Sequence, residues 1–280
     1  MERPRNFRRL VMAAIKPPSI PWLITFGYLG IMLFLPIVAL FAKAFSLPLD
    51  QIWKIVIDPV AIAAYKFTFI TAFLAAALNG IFGMLLAWVL VRYQFPGRRI
   101  VDAAVDLPFA LPTAVAGITL ATIYSENGWI GSLFAPLGIK IAFTRIGVFI
   151  AMVFISLPFV VRTLQPVVQA IEKETEESAR SLGATHFQTF VRVIFPPLIP
   201  ALLTGITLGF SRAVGEFGSI VIIASNTPFE DLIAPVLVFE RLENYDYGGA
   251  TVIGAIMLIF SLILILIINF LQAWQQKYEL

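Results

Sequence analysis

Six apolar runs recur along the chain, at roughly 21–41, 67–91, 104–124, 146–168, 198–223 and 252–271. Each approaches or exceeds the ~20 residues that one helix needs to cross a bilayer. They are apolar all round rather than on one stripe, so they cannot lie on a wet surface. No ten-residue alternation punctuated by turns is present, which argues against a membrane barrel. Hydrophobic side chains make up 59% of the chain and charged ones 13%, against about half and a quarter in an ordinary soluble domain. A soluble enzyme, a disordered tail, a collagenous chain and a DNA-binding domain are thereby excluded. There is no cysteine and a single histidine, His186. That leaves no disulfide framework and neither a thiolate nor a histidine-rich metal site. The expectation is an all-α integral membrane protein with about six transmembrane helices.

Charge sets the expected orientation. Arg3, Arg5, Arg8, Arg9 and Lys16 precede the first run, and Arg92, Arg98 and Arg99 follow the second. Lys173, Arg180 and Arg192 follow the fourth, and Lys277 follows the last. On the opposite side stand only Lys43, Lys54, Lys66, Lys140, Arg145 and Arg241. The positive-inside rule then places both termini in the cytoplasm, as an even number of spans requires. The first run is longer than the 7–15-residue core of a cleaved signal, so a retained helix is expected. Residues 1–60 read as a basic tail, a first helix and an outer interfacial segment, and 61–280 as the core. Trp53 in the segment 46–59 and Trp129 beside the Asn127-Gly128 turn suit the headgroup belt. The outer segment 226–249 is acidic, with Glu230, Asp231, Glu240, Glu243 and Asp246 against Arg241.

The connection at about 171–197 differs from the others. Glu172 to Leu182 are good helix formers, Gly183 can end a helix in the left-handed region, and Thr185 can cap a second one. Pro196-Pro197 should stop that second helix from running straight into the next span. Leu182, Phe187 and Phe190 are apolar anchors without lipid to face, as a partner's groove would require.

Glu177-Ser178-Ala179, three residues, Gly183 with Ala184, and Val193-Ile194-Phe195-Pro196 resemble the EAA-x3-G-x9-I-x-L-P loop of ATP-binding-cassette importer permeases. Ser178, Val193 and Phe195 are mild departures. The resemblance implies a type I importer permease fold and a coupling helix that docks on an ATPase, carried by Glu177, Ser178, Ala179, Gly183, Ala184, Phe187 and Pro196. The segments from Asp106 to Gly117, Asn127 to Gly131 and Arg212 to Ser219 are similar to the sulfate/molybdate branch. The long basic tail and extra first span look like the T-type permease subunits of sulfate/thiosulfate importers. Import of molybdate or tungstate is the alternative within the branch. The implied partners are an ABC ATPase dimer at the cytoplasmic face, a second homologous permease subunit, an extracytoplasmic sulfate-binding protein and membrane lipid, with no nucleic acid. The implied place is a bacterial-type inner membrane. This chain would bind no cofactor, ATP and Mg being used by the ATPase.

Arg212 and Glu216 are the sharpest pathway candidates. Their spacing of four puts them on one helical face. Counted from Ala201, Arg212 lies about 16 Å into the fifth span, where a charge is costly and needs a partner or a wet path. An ion pair that locks helices and a cation lining an oxyanion path are both open. Ser211 and Ser219 can bond across helices or toward the anion. Pro108, Pro112 and Gly117 can kink the third span beside a cavity. Arg162 is expected to snorkel to headgroups, and Asp102 and Asp106 to complement a helix dipole. Glu177 can order the loop or pair with a basic residue of the ATPase, and His186 is expected at a surface or interface. No Gly-Lys dipeptide occurs, hence no phosphate loop. An ion-gradient transporter and an intramembrane enzyme are the rival classes. Glu216 is the one carboxylate expected inside the spans, too few for a dyad or a proton relay.

Overall fold

A computed structural model describes the backbone of residues 20–276 and the side chains of 20–270. All regular structure among them is helical. Five helices are long and apolar enough to cross a membrane. They are α1 (Ile20–Ala44), α3 (Pro59–Arg92), α8 (Arg145–Ala170), α10 (His186–Val214) and α13 (Tyr247–Gln276). Between them lie the shorter α2 (Leu49–Val56), α4 (Arg98–Val105), α5 (Leu107–Ala110), α6 (Thr113–Tyr124), α7 (Gly131–Phe134), α9 (Lys173–Ser181), α11 (Ile220–Ile223) and α12 (Ala234–Glu243).

The centre is a packed trio of α3, α8 and α10. In lipid there is no hydrophobic drive to bring helices together, so close contact through small residues does the work. The inner face of α3 is accordingly Ala61, Ala64, Ala72, Ala75, Ala76, Gly80, Gly83 and Ala87, all buried. Its outer stripe is Ile70, Phe73, Leu74, Ile81, Phe82 and Leu85, all exposed. A Cβ on Gly83 would stand 2.9 Å from a Val160 methyl, and one on Gly205 would stand 2.9 Å from the Val160 Cα. Asn79, fully buried, donates to the Val153 carbonyl and to the Ser156 hydroxyl, both at 2.8 Å. That amide fixes the register between α3 and α8 where the packing surface is otherwise featureless.

Two of the six expected spans are interrupted. The third is three pieces, not one helix over 104–124. Leu111 precedes Pro112 and takes an extended ψ of 134°, because the proline ring excludes the helical conformation before it. Pro108 is tolerated in the first turn of α5. The fifth span starts earlier and ends earlier than 198–223. It begins at His186, runs unbroken to Val214, and gives way to a loop before α11.

The prolines at 196 and 197 do not end α10, but its ladder changes step just before them. The five residues before them, Phe190–Ile194, are π-helical, as are Gly30–Phe34 just before Pro36 in α1. A wider turn gives room to the carbonyl that a proline ring would strike, and the missing N–H falls where the ladder already changes step.

The first helix packs on α13 near its C-terminal end, through Leu40, Phe41 and Ala44 against Val252 and Ala255. The segment 226–249 folds back into the body. The Ala234 amide donates to the Thr68 hydroxyl at 2.9 Å. Asp231 is buried, its carboxylate accepting from the Ser225 amide and hydroxyl and from the Thr227 amide. Arg241 bridges Asp58 at 2.8 Å and Asp246 at 3.0 Å. Two of the segment's five acids, Asp231 and Asp246, are therefore used internally.

Candidate functional site

The segment after α8 builds an elbow. Helix α9 ends at Ser181, and Gly183 adopts φ +88°, the left-handed value that only glycine takes without strain. Thr185 then opens α10 with a reciprocal cap, its hydroxyl accepting from the Gln188 amide while the Gln188 side chain accepts from the Thr185 amide. Leu182 is 89% exposed and Phe187 75% exposed, at the tip of the elbow. Glu177 and Ser178 are exposed on α9, and Ala179 and Ala184 are half-buried. His186 is exposed beside Phe187. Phe190 is not a free anchor as expected. Its ring meets Trp88 edge-on with centroids 6.1 Å apart, and it also touches Phe195. Pro196 sits half-buried in the first turn after the π segment.

A contact invisible in the linear pattern ties this elbow to the core. Arg92, in the last turn of α3, places Nη2 2.8 Å from a Glu176 carboxylate oxygen and 2.9 Å from the Ile171 carbonyl. Its guanidinium also lies over the Trp88 ring, 5.1 Å from the centroid. Both partners of the ion pair are largely buried, at 12% and 15% exposure. Adjacent acids thus divide the surroundings: Glu176 faces inward to Arg92, and Glu177 faces out.

The far end of α10 carries the other candidate site. Arg212 lies in the last turn of α10, so counting depth from Ala201 does not give a mid-helix position. Its Nη1 donates to Glu216 at 2.6 Å. Glu216 is 1% exposed, and its second oxygen accepts from both the amide and the hydroxyl of Ser219 at 2.8 Å. A buried carboxylate needs this many donors to remain charged. The carboxylate thereby winds residues 215–219 into a loop in place of a continued helix. The Ser219 hydroxyl proton is used there, and the Ser211 hydroxyl donates to the Thr207 carbonyl of its own helix. Neither serine bonds across helices among the described residues. Arg212 is 31% exposed and bonds only Glu216 among the described residues, leaving other N–H groups available.

This loop lies directly against α6. A Cβ on Gly117 would stand 2.6 Å from the Ser219 carbonyl oxygen, and a Cβ on Gly218 would stand 2.2 Å from the Thr113 hydroxyl. Gly117 is therefore required for close approach, not for a kink. The breaks fall at Asp106 and at Leu111-Pro112.

Arg162 does not snorkel. Its guanidinium grips Asp106 with two bonds, of 2.8 and 2.6 Å, and reaches Asp102 at 2.6 Å and the Gln165 carbonyl at 2.6 Å. Gln165 returns a bond to Asp102 at 3.0 Å. Asp102 lies within α4, and Asp106 follows its C-terminal end while standing at the N-cap of α5, where its charge suits that helix's dipole. Both also bond the arginine. The Gln165 amide first, and then Arg162, hold the Asp102 carboxyl below the ordinary carboxylate range. The cluster pins the detached α4–α5 segment, at the entry to the third span, to α8.

Residues 79–277 match the family described as binding-protein-dependent transport system inner membrane component. The chain is 68% identical over 260 residues to the sulfate transport system permease protein CysT of Synechocystis sp., covering 93% of this chain and 91% of that protein. It is 61% identical over 258 residues to the protein of the same name from Synechococcus elongatus, covering 92% and 93%. A probable sulfate transport system permease protein of Chlorokybus atmophyticus is 60% identical over 260 residues. Among solved structures, a bacterial ABC transporter involved in the import of the acidic polysaccharide alginate superposes with a TM-score of 0.76 at 20% identity, covering 95% of this chain and 96% of that one. An amino acid ABC transporter superposes with a TM-score of 0.55, covering 81% and 99%. At those identities the likeness speaks for the fold. With its sequence relatives and its fold in agreement, the chain belongs to the binding-protein-dependent transport system inner membrane components, the multi-pass permease subunits of ABC transporters.

Proposed function

We propose that this chain is one permease subunit of an ATP-driven sulfate/thiosulfate importer. The observation that carries the reading is the 68% identity, over 93% of the chain, to a sulfate transport system permease. ATP and Mg belong to a separate ATPase pair, which grips the elbow of Leu182 and Phe187 from the cytoplasm. A second homologous permease completes the pore, and a binding protein delivers the anion from outside. Both termini lie in the cytoplasm.

The geometry supports a mechanical route for alternating access. Helix α10 is one piece of 29 residues, about 43 Å long at ~1.5 Å per residue. It joins the elbow at one end to the Arg212–Glu216 loop at the other. Movement of the elbow is carried along this rod, and the π segment at Phe190–Ile194 supplies a place to bend. The loop rests on Gly117, so the broken third span follows. A second link, Arg92–Glu176, carries the same movement to α3. Arg212 offers its remaining N–H groups to a passing oxyanion. Glu216 orients the guanidinium and cancels its charge, so a dianion is recognised without being trapped. ATP binding and substrate delivery each favour one conformation of this linkage, which is what coupling requires.

The test is uptake of labelled sulfate by cells lacking the chain, before and after its return, with unlabelled molybdate as competitor. Loss and rescue with weak competition is expected. Unchanged sulfate uptake, or full competition by molybdate, would move the substrate to the molybdate/tungstate alternative.

A further inference from the structure

Helix α12 buries Ala234, Val236 and Leu237 in the core. Phe239, Leu242 and Glu243, spaced by three and four, form a separate stripe that is exposed. Tyr245 and Tyr247 follow, exposed as well, with rings edge to face and centroids 6.4 Å apart. Tyr245 is an unexpected residue for its place. It stands just after the C-cap of α12, with φ +60°. The Asp246 amide donates to the Arg241 carbonyl and the Tyr245 amide to the Leu242 carbonyl, a closure that usually carries glycine at this position. A bulky side chain is disfavoured in that region of backbone space. Burial does not compensate, because Tyr245 is 79% exposed. Strain that the fold does not need clusters at functional surfaces, and tyrosine is among the side chains that carry most of the energy at an interface.

Charge narrows the partner. The one cation of α12, Arg241, is committed to Asp58 and Asp246. Glu240 and Glu243 have no ion-pair partner among the described residues. Burial first, and then Glu243, pushes the Glu240 carboxyl above the ordinary carboxylate range. An aromatic face with two unmatched acids repels sulfate and anionic headgroups alike, and it complements a soluble protein that brings a basic patch. The face is also wired inward. The Phe239 ring meets Phe217 with centroids 5.0 Å apart. Phe217 lies in the loop 215–219, which Glu216 winds beside Arg212. Phe239 thus touches both the open face and the loop that the anion is offered.

We propose that the face of Phe239, Leu242, Glu243 and Tyr245 receives a basic patch of the extracytoplasmic binding protein, and that Phe239 and Phe217 pass its arrival to the Arg212–Glu216 loop. The inference rests on the importer reading above, which supplies the outer position of α12 and a soluble partner there. It adds where on this chain that partner lands and how the landing reaches Arg212. The strained tyrosine and the unmatched acids fix the landing face. The ring pair explains why that face is built on the one helix of segment 226–249, rather than on a loop free to move by itself.

The test uses the assembled transporter in lipid nanodiscs, titrated with the purified, sulfate-loaded binding protein while docking and ATP hydrolysis are both read. Tyr245→Gly relieves the backbone and removes the ring. Its Tm should hold or rise while the Kd for docking rises about tenfold, so weakened docking is not a folding defect. Glu243→Lys should weaken docking several-fold, with the larger effect at low salt. Phe217→Leu should leave docking within about twofold and lower the hydrolysis that docking stimulates about tenfold. A photoreactive side chain at position 242 should cross-link to the binding protein. Unchanged docking in both Tyr245→Gly and Glu243→Lys would overturn the surface, as would cross-linking at 242 to lipid or to the second permease subunit. Full stimulation in Phe217→Leu would overturn the relay. Sulfate uptake by the wild type reads the importer assignment separately, so either reading can fail alone.

Discussion

Arg92 and Glu176 are 84 residues apart in sequence and 2.8 Å apart in space, and their ion pair joins the C-terminal end of α3 to the elbow helix. Removing one partner of a largely buried pair costs about 3 kcal/mol or more, roughly a hundredfold in the population of the tethered elbow. Glu176→Gln is therefore expected to abolish sulfate-stimulated ATP hydrolysis in the assembled transporter while the chain still inserts. The reversed pair Arg92→Glu with Glu176→Arg should recover part of the activity. Hydrolysis that stays coupled in Glu176→Gln would show that the elbow moves the core through α10 alone.

At Gly183 a Cβ would meet open space, with nothing within 4 Å, so only the backbone matters. With φ at +88°, the expected order of damage is Asn, then Ala, then Val, with about 1–2 kcal/mol for a residue that resists the left-handed region. Co-purification of the ATPase with each variant should fall in that order. Equal co-purification across the series would remove the turn from the docking surface.

Gly117→Ala should act differently, because its methyl would strike the Ser219 carbonyl at 2.6 Å. Overpacking of this kind costs about 1–3 kcal/mol. A lower Tm and slower uptake are expected together. Gly27→Ala, at a site with nothing within 4 Å, is the control and should change neither.

Arg212→Ala removes the proposed anion contact but also strands the buried Glu216 carboxylate. The double change Arg212→Ala with Glu216→Gln separates the two effects. Thermal stability should recover in the double variant because no unpaired charge remains, whereas uptake should stay low. Recovery of uptake with stability would make the pair purely structural.

The Arg162 cluster gives a pH dependence with a defined sign. The Asp102 carboxyl is held below its ordinary value by Gln165 and Arg162. A group depressed on folding contributes stability that is full above its unfolded pKa and is lost as pH falls through the folded one. Acid should therefore loosen α4 from α8. Hydrogen exchange at residues 98–105 should rise on acidification in the wild type; in Arg162→Gln it should be higher at every pH, with only the part of the pH dependence that Gln165 supplies retained.

Part of this molecule is legible in its residues alone. Five of the six spans follow from apolar length, because a bilayer imposes one period-free requirement on each helix. The elbow is equally readable, since Gly183 and Thr185 act on their own neighbours through a φ angle and a local cap. The breaks are only half readable. Pro108 and Pro112 mark the third span, yet Pro196 and Pro197 in α10 are absorbed by a π turn that no local rule demanded.

Local chemistry along the chain is thus enough for a multi-span helical membrane protein, a capped elbow with exposed apolar residues at its tip, and the family resemblance carried by that elbow. Which charges meet is settled only once the helices are assembled. Arg162 with Asp102 and Asp106, Arg92 with Glu176, and Arg241 with Asp58 pair across 56 to 183 residues of chain. The same assembly makes Gly117 a contact and not a hinge. The physical reason is one of range. Hydrophobic length, glycine conformation and helix caps are set within a few residues, whereas ion pairs and close glycine contacts depend on how whole helices are brought side by side.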